Sequence, residues 1–198
     1  MPVRKDASES SYRRYSYNYL LMAVQKAEAR VKALKSEEPH PHPFSDCLAM
    51  LVFSAMAFEA FINHLGQIVD PNWKAMERAP PRDKADHVAH KCGKKLVWGK
   101  RPYQSVRELL RFRNIVAHAN SILVPTSSMH GKPSLKFNNW PSYCESEISL
   151  RLVGDLRRVI ADLPGTLGVE VVPAFLLAES VVPGALWRQP VDVSAGDV

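Results

Sequence analysis

The sequence predicts an all-α protein: a bundle of four longer helices plus a short extra helix, with an irregular C-terminal tail. Two observations lead there. Apolar residues recur at helical spacing in four separate runs, and the segments between those runs are rich in proline, glycine, serine and asparagine. Strand signals are confined to fragments such as Ile122-Leu123-Val124 and Val169-Glu170-Val171-Val172. With 198 residues, 46% of them apolar and 23% charged, the chain can bury the core of one helical domain. That domain is placed at residues 1–163, and a proline-containing tail at 164–198.

In the first run Leu20, Val24, Ala27, Val31 and Leu34 form one stripe, and Tyr12, Tyr15, Tyr19 and Met22 a second, which predicts a helix from Ser10 to Lys35. His40-Pro41-His42-Pro43 must end it, since proline lacks a donor and bars the preceding residue from helical geometry. The second helix spans Phe44 to Val69. Leu48, Leu51, Val52, Ala55, Phe58, Ile62, Leu65 and Val69 make one face, and Met50, Phe53, Ala57, Ala60 and Phe61 cover most of the rest. A helix apolar nearly all round belongs at the centre of the bundle. Glu59 and Asn63, one turn apart, are its polar exceptions, and a buried carboxylate requires a partner.

Asp70-Pro71-Asn72 and Ala79-Pro80-Pro81 read as turns. A short polar helix follows from Arg82 to Cys92, with Gly93 ending it. The third main helix starts near Pro102, with Ser105 and Glu108 spaced as a capping box, and carries Val106, Leu109, Leu110, Phe112 and Val116 to an end near His118. Residues 119–141 form a long loop. Ser142 followed by Glu145 opens the fourth main helix, whose core face is Ile148, Leu152, Leu156, Val159 and Leu163 and whose stop is Pro164-Gly165. Prolines 164, 173, 183 and 190 bar a long helix from the tail, whose apolar content predicts packing on the body or on a neighbouring subunit. There is no internal repeat.

The net charge of +6 and a pI near 9.3 favour an anionic partner, although charge speaks to association and not to fold. The opening residues MPVRKDASESSYRR lack the apolar core of a secretory signal, and the apolar stretch Cys47–Phe58 is too short to cross a bilayer. Cys47, Cys92 and Cys144 are scattered and odd in number, which fits free thiols in a reducing compartment. The expectation is a soluble cytoplasmic protein with no membrane partner.

The residues that carry chemistry are Arg113-Asn114-Ile115-Val116-Ala117-His118, which close the strongest amphipathic run of the chain. They pair a fixed positive charge able to hold a phosphate with the one side chain that exchanges protons near neutral pH. The spacing alone is a weak signal, for Arg82 and His87 repeat it inside a polar helix between turns. On a helical wheel Arg107, Arg111, Asn114 and His118 share one stripe, whereas Arg113 lies with Val106, Leu109, Leu110 and Ala117. Arg113 and His118 therefore diverge by about 140° in a regular helix. Either the last turn unwinds near His118, or a site takes the two groups from different subunits of a two-fold dimer.

Arg113, Asn114 and His118, together with Phe58-Glu59-Ala60-Phe61-Ile62-Asn63 in a buried earlier helix, resemble the HEPN family over roughly residues 10–163. The resemblance implies a homodimer that cleaves RNA at its interface without a metal or other cofactor, as toxins and phage-defence effectors of the family do. An antitoxin or defence-system partner protein belongs with that setting. Arg113, Asn114 and His118 would then be catalytic, Arg107 and Arg111 would track the RNA backbone, and Glu59 would pair with Arg113 behind them. The chain departs from one toxin branch, in which a tyrosine shortly after the histidine is nucleotidylated, because Ala119 and Asn120 follow His118 here.

The alternative is a non-catalytic HEPN-like dimeric module that binds RNA, nucleotide or a partner protein. Arg113 would then be only a buried partner of Glu59, and His118 a helix cap. His87, His90 and Cys92, with His40, His42 and Cys47 elsewhere, lack the paired halves of a zinc site and are expected to be solvated. Tyr12, Tyr15, Tyr17 and Tyr19 with Arg13 and Arg14 can stack on bases, but a packing stripe explains them more simply.

Overall fold

The computed structural model describes residues 16–34, 42–118 and 140–165. They form five helices: α1 (Ser16–Leu34), α2 (Phe44–Val69), α3 (Pro81–Lys91), α4 (Tyr103–Ala117) and α5 (Ser146–Asp162). Short 3-10 turns cover Trp73–Met76 and Trp140–Cys144, and there is no strand among the described residues. The strand-like fragments, the long loop, the tail, and Tyr12, Arg13, Arg14, Tyr15 and His40 lie outside the described residues.

α2 is the axis of the bundle, and α1, α3, α4 and α5 all pack on it. Its bounds are those its apolar pattern predicts. Leu51, Ala55, Phe61, Ile62 and Leu65 are fully shielded, facing Val24 and Val31 of α1, Leu109 and Phe112 of α4, and Leu152 and Leu156 of α5 in one continuous core. The stretch Cys47–Phe58 is short, but α2 as a whole is long and apolar enough to cross a membrane by length and composition, with mean hydropathy 1.6. Half of that window is buried inside the protein, as befits a core helix.

α1 turns a different edge to α2 than its pattern suggests. Tyr17, Leu21, Val24, Ala27 and Val31 are buried, Leu20 and Leu34 are half-buried, and Tyr19 is exposed. The buried stripe includes Glu28, whose charge hides it from an apolar count. Its carboxylate is held by Arg157 and Lys32, so burial, which pushes its pKa up, is outweighed by these hydrogen bonds and charges. Tyr17 sets its ring edge-on to Phe61 at 5.5 Å, so this tyrosine is a packing residue.

α4 starts where expected, directly after Pro102, but without its capping box, and the start of α5 is displaced. Ser105 is not the cap of α4 but its third residue, fully buried, and its hydroxyl donates to Asp155 Oδ2 at 2.6 Å. Glu108 accepts from Gln104 instead, at 3.1 Å. Ser142 lies in the 3-10 turn, and α5 begins at Ser146 behind Glu145. Trp140 and Tyr143 anchor that turn on Phe112, at 6.0 and 6.1 Å between ring centres. The predicted stops hold: Gly93 and Gly165 both adopt positive φ, 69° and 55°, after α3 and α5.

Asp155 is the most heavily bonded buried charge. It accepts from Arg101 Nε at 2.6 Å and Nη2 at 2.9 Å, from Ser105, and from Arg158 at 3.4 Å. Burial raises its pKa, but the bonds from Arg101 and Ser105 prevail and hold it below the ordinary aspartate value. A depressed carboxyl contributes stability above its unfolded pKa of about 3.9, and that contribution fades as pH falls through the lower folded value. Asp155→Asn should therefore cost about 1–2 kcal/mol at neutral pH, because Arg101, half exposed, is not stranded by loss of the charge. It should also shrink the loss of melting temperature between pH 7 and pH 3, as measured by thermal denaturation at both.

Candidate functional site

α4 presents two unlike faces. Arg107, Arg111, Asn114 and His118 are all exposed, which makes the predicted stripe a solvent-facing one. Val106, Leu109 and Leu110 are buried on the other side, and Arg113 emerges at its border with 26% of its side chain accessible. Within one chain Arg113 and His118 thus have different surroundings, in keeping with their divergence on the wheel.

His118 is the C-cap of α4. Its backbone leaves the helix at φ −118°, ψ 18°, while its N–H still donates to the Asn114 carbonyl at 3.1 Å. The helix ends at the histidine itself, so the imidazole stands on the first non-helical residue. Its ring has no hydrogen-bond partner among the described residues.

Arg113 reaches across to α2, where Nη1 donates to Glu59 Oε2 at 3.0 Å. Glu59 therefore has the partner that its place on an apolar helix demands. Its other oxygen, Oε1, lies 4.0 Å from Lys84 Nζ on α3. One carboxylate serves two cations, and Arg113 Nε is buried with no acceptor among the described residues. The guanidinium keeps donors in hand beyond the one it spends on Glu59.

Positive charge accumulates along the outer face of α4 and reaches α5. Arg151 approaches Glu108 at 3.8 Å and Ser105 Oγ at 3.3 Å. Burial raises the Tyr143 phenol, Glu108 adds to the rise, and the charges of Arg151 and Arg111 oppose it. Arg151 was not legible as part of this surface, because its partners lie on α4, more than 40 residues earlier.

The other Arg-x4-His spacing is occupied differently. Arg82 lies over the Trp98 ring at 5.4 Å, and His87 Nε2 is 2.7 Å from Asp70 Oδ2. His90 is exposed and Cys92 half-buried, and among the described residues no three His, Cys, Asp or Glu side chains gather as metal ligands. All three cysteines are free; burial raises each thiol, Cys144 to about 12, so none is a ready nucleophile at neutral pH. Lys84 was missed in the sequence. It lies about 40° from Val88 on the wheel, on the buried side of a helix whose composition reads as polar.

Comparison with models of protein families, with curated proteins and with solved structures gives no match to this chain. The likeness to HEPN proteins rests on the two sequence phrases and the helix order.

Glu59→Gln leaves Arg113 and Lys84 facing a neutral amide. It should lower stability by about 1–2 kcal/mol, between the worth of an exposed pair and that of a buried one. Chemical denaturation checks this; an unchanged midpoint would mean that the pair is solvated.

Proposed function

We propose that the chain is a HEPN-like homodimer acting as a metal-independent endoribonuclease, with a composite site at its interface. What carries the reading is the Arg113–His118 phrase at the end of α4, where a C-cap histidine terminates an exposed stripe of Arg107, Arg111 and Asn114. In this mechanism His118 of one subunit takes the proton of a ribose 2′-hydroxyl, and the 2′-oxygen attacks the adjacent phosphorus. The P–O5′ bond breaks, and the 5′-oxygen leaves with a proton from the second His118. The products are a 2′,3′-cyclic phosphate and a 5′-hydroxyl. Arg113 stabilises the charge on the phosphate's equatorial oxygens from its seat on Glu59, and Asn114 orients phosphate or imidazole. Arg107 and Arg111 bind the RNA backbone without reading sequence.

A nuclease that binds through backbone charge discriminates little between RNAs, so it has to be restrained until needed. The resemblance to HEPN proteins supports a toxin or phage-defence setting, with an antitoxin or trigger as partner and the cytoplasm as its compartment, and this need for restraint fits it. The Arg113–Glu59 pair also favours a second reading, a dimeric module that binds RNA, nucleotide or a partner protein without catalysis, because it gives Arg113 a purely structural occupation.

His118→Ala should lower cleavage of labelled RNA by about 10²- to 10⁴-fold in the presence of EDTA, with loss of cyclic-phosphate ends and an unchanged helical signal. His87→Ala, which removes contacts with Asp70 and Trp73 only, should cleave at the parent rate. The opposite pattern, or parent activity in both, removes His118 from the chemistry.

Arg113→Lys keeps a charge near Glu59 but loses the planar fork that holds two phosphate oxygens. Its melting temperature should stay close to the parent's while turnover falls by at least tenfold, roughly the worth of one lost charge-assisted bond. A fall in melting temperature with unchanged turnover would favour the binding module.

A further inference from the structure

The turn between α2 and α3 borders an open pocket of about 520 Å³ whose walls include Asn63, Gln67, Trp73, Lys74, Glu77 and Lys84. Gly66 gives it a back wall: a Cβ there would overlap the Trp73 indole, so the ring lies flat against α2. Lys84 is the informative residue. Its side chain is only 5% accessible, yet its nearest carboxylate oxygen, Glu59 Oε1, is 4.0 Å away, beyond hydrogen-bond reach. That carboxylate already accepts from Arg113 through its other oxygen. The other acid deep in the wall, Asp70, is committed as well, to the Asn72 N–H at 2.9 Å and to His87 at 2.7 Å. An ammonium this buried whose ion pair is too long for a hydrogen bond keeps its donors unspent, and this one lines a pocket.

The surroundings state what is missing. Asn63 and Gln67 stand one turn apart on the face of α2 that meets the pocket and offer amide donors, and Lys74 adds an exposed second cation. Glu77, exposed at the rim, opposes accumulation of negative charge and disfavours polyphosphates. We propose that this pocket binds a small ligand carrying one oxyanion group, a phosphate monoester or a carboxylate, with Lys84 as its buried counter-charge and Asn63, Gln67 and Lys74 as surrounding donors. None of its donors is assigned to RNA cleavage, although Lys84 and Arg113 share Glu59, so the test reads anion binding and not cleavage.

The test is the thermal shift of the full chain titrated with inorganic phosphate or with acetate, against sodium chloride at matched ionic strength. One or both anions should raise the melting temperature saturably beyond chloride; a response to phosphate alone identifies a phosphate ester, and to acetate alone a carboxylate. Lys84→Met keeps the aliphatic stem and removes the charge, and should weaken the midpoint by roughly tenfold or more. Asn63→Asp sets a repelling charge on the partly exposed wall and should weaken it similarly; it decides the matter if Lys84→Met does not fold. The proposal is overturned if neither anion exceeds chloride, or if Asn63→Asp and any folded Lys84→Met keep the parent midpoint.

Discussion

A 26-residue helix that is apolar on nearly every side is stable in water only when other helices enclose it, and the rest of this bundle is arranged to enclose α2. α1, α4 and α5 supply the apolar walls. What α2 cannot give to that core is one polar line, Glu59, Asn63, Gln67 and then Asp70 just past its end, spaced by successive helical turns. α3 and α4 bring basic side chains to this line, the cations Lys84 and Arg113 to Glu59 and the imidazole of His87 to Asp70. The pocket lies along this line and Arg113 is seated on it, because it is where the central helix is able to carry charge.

The same logic governs the interior acids. Glu28, Glu59 and Asp155 lie on three different helices, and each is met by an arginine from elsewhere: Arg157, Arg113 and Arg101. Removing the arginine of such a pair leaves a shielded carboxylate without its partner, so the pairs help fix which helix lies against which. Arginine suits this work because its fork reaches a carboxylate with two donors, as Arg101 does on Asp155. Once those needs are met, the remaining arginines are free for the surface. Arg107 and Arg111 pair with no acid among the described residues, and a net charge of +6 then becomes a statement about what the exterior attracts.

How much could be read in advance divides along one physical line. Patterns whose cause is local were legible: the bounds of α2, the core face of α5, the exposed stripe of α4 and the glycine stops after α3 and α5. The need of Glu59 for a partner was legible too, because an acid on an apolar helix poses the question by itself. What failed were inferences whose answer lay far along the chain. Ser105 and Glu108 have capping-box spacing, but Asp155, fifty residues away, claims the hydroxyl. Glu28 disguises the buried edge of α1 because its arginine is on α5. Lys84 reads as one more charge on a polar helix until α2 and the 70–77 turn close over it.

The geometry of α4 finally constrains any chemistry assigned to it. Arg113 is drawn inward by Glu59, and that tether is worth keeping because it fixes the guanidinium while leaving other donors unspent. His118 stands outside, at the point where the helix ends. A single phosphate cannot easily meet both groups of one regular helix, since they diverge by about 140°. Any reaction that uses both must therefore turn the backbone after Ala117 or draw the second group from another copy of the chain. His118 already has non-helical torsions, which permits a local turn, but a cap supplies only one imidazole, and transphosphorylation moves one proton onto a base and another off an acid. A two-fold pairing of α4 ends would supply two imidazoles and two tethered arginines at once, which is why the proposed reaction is assigned to a dimer interface.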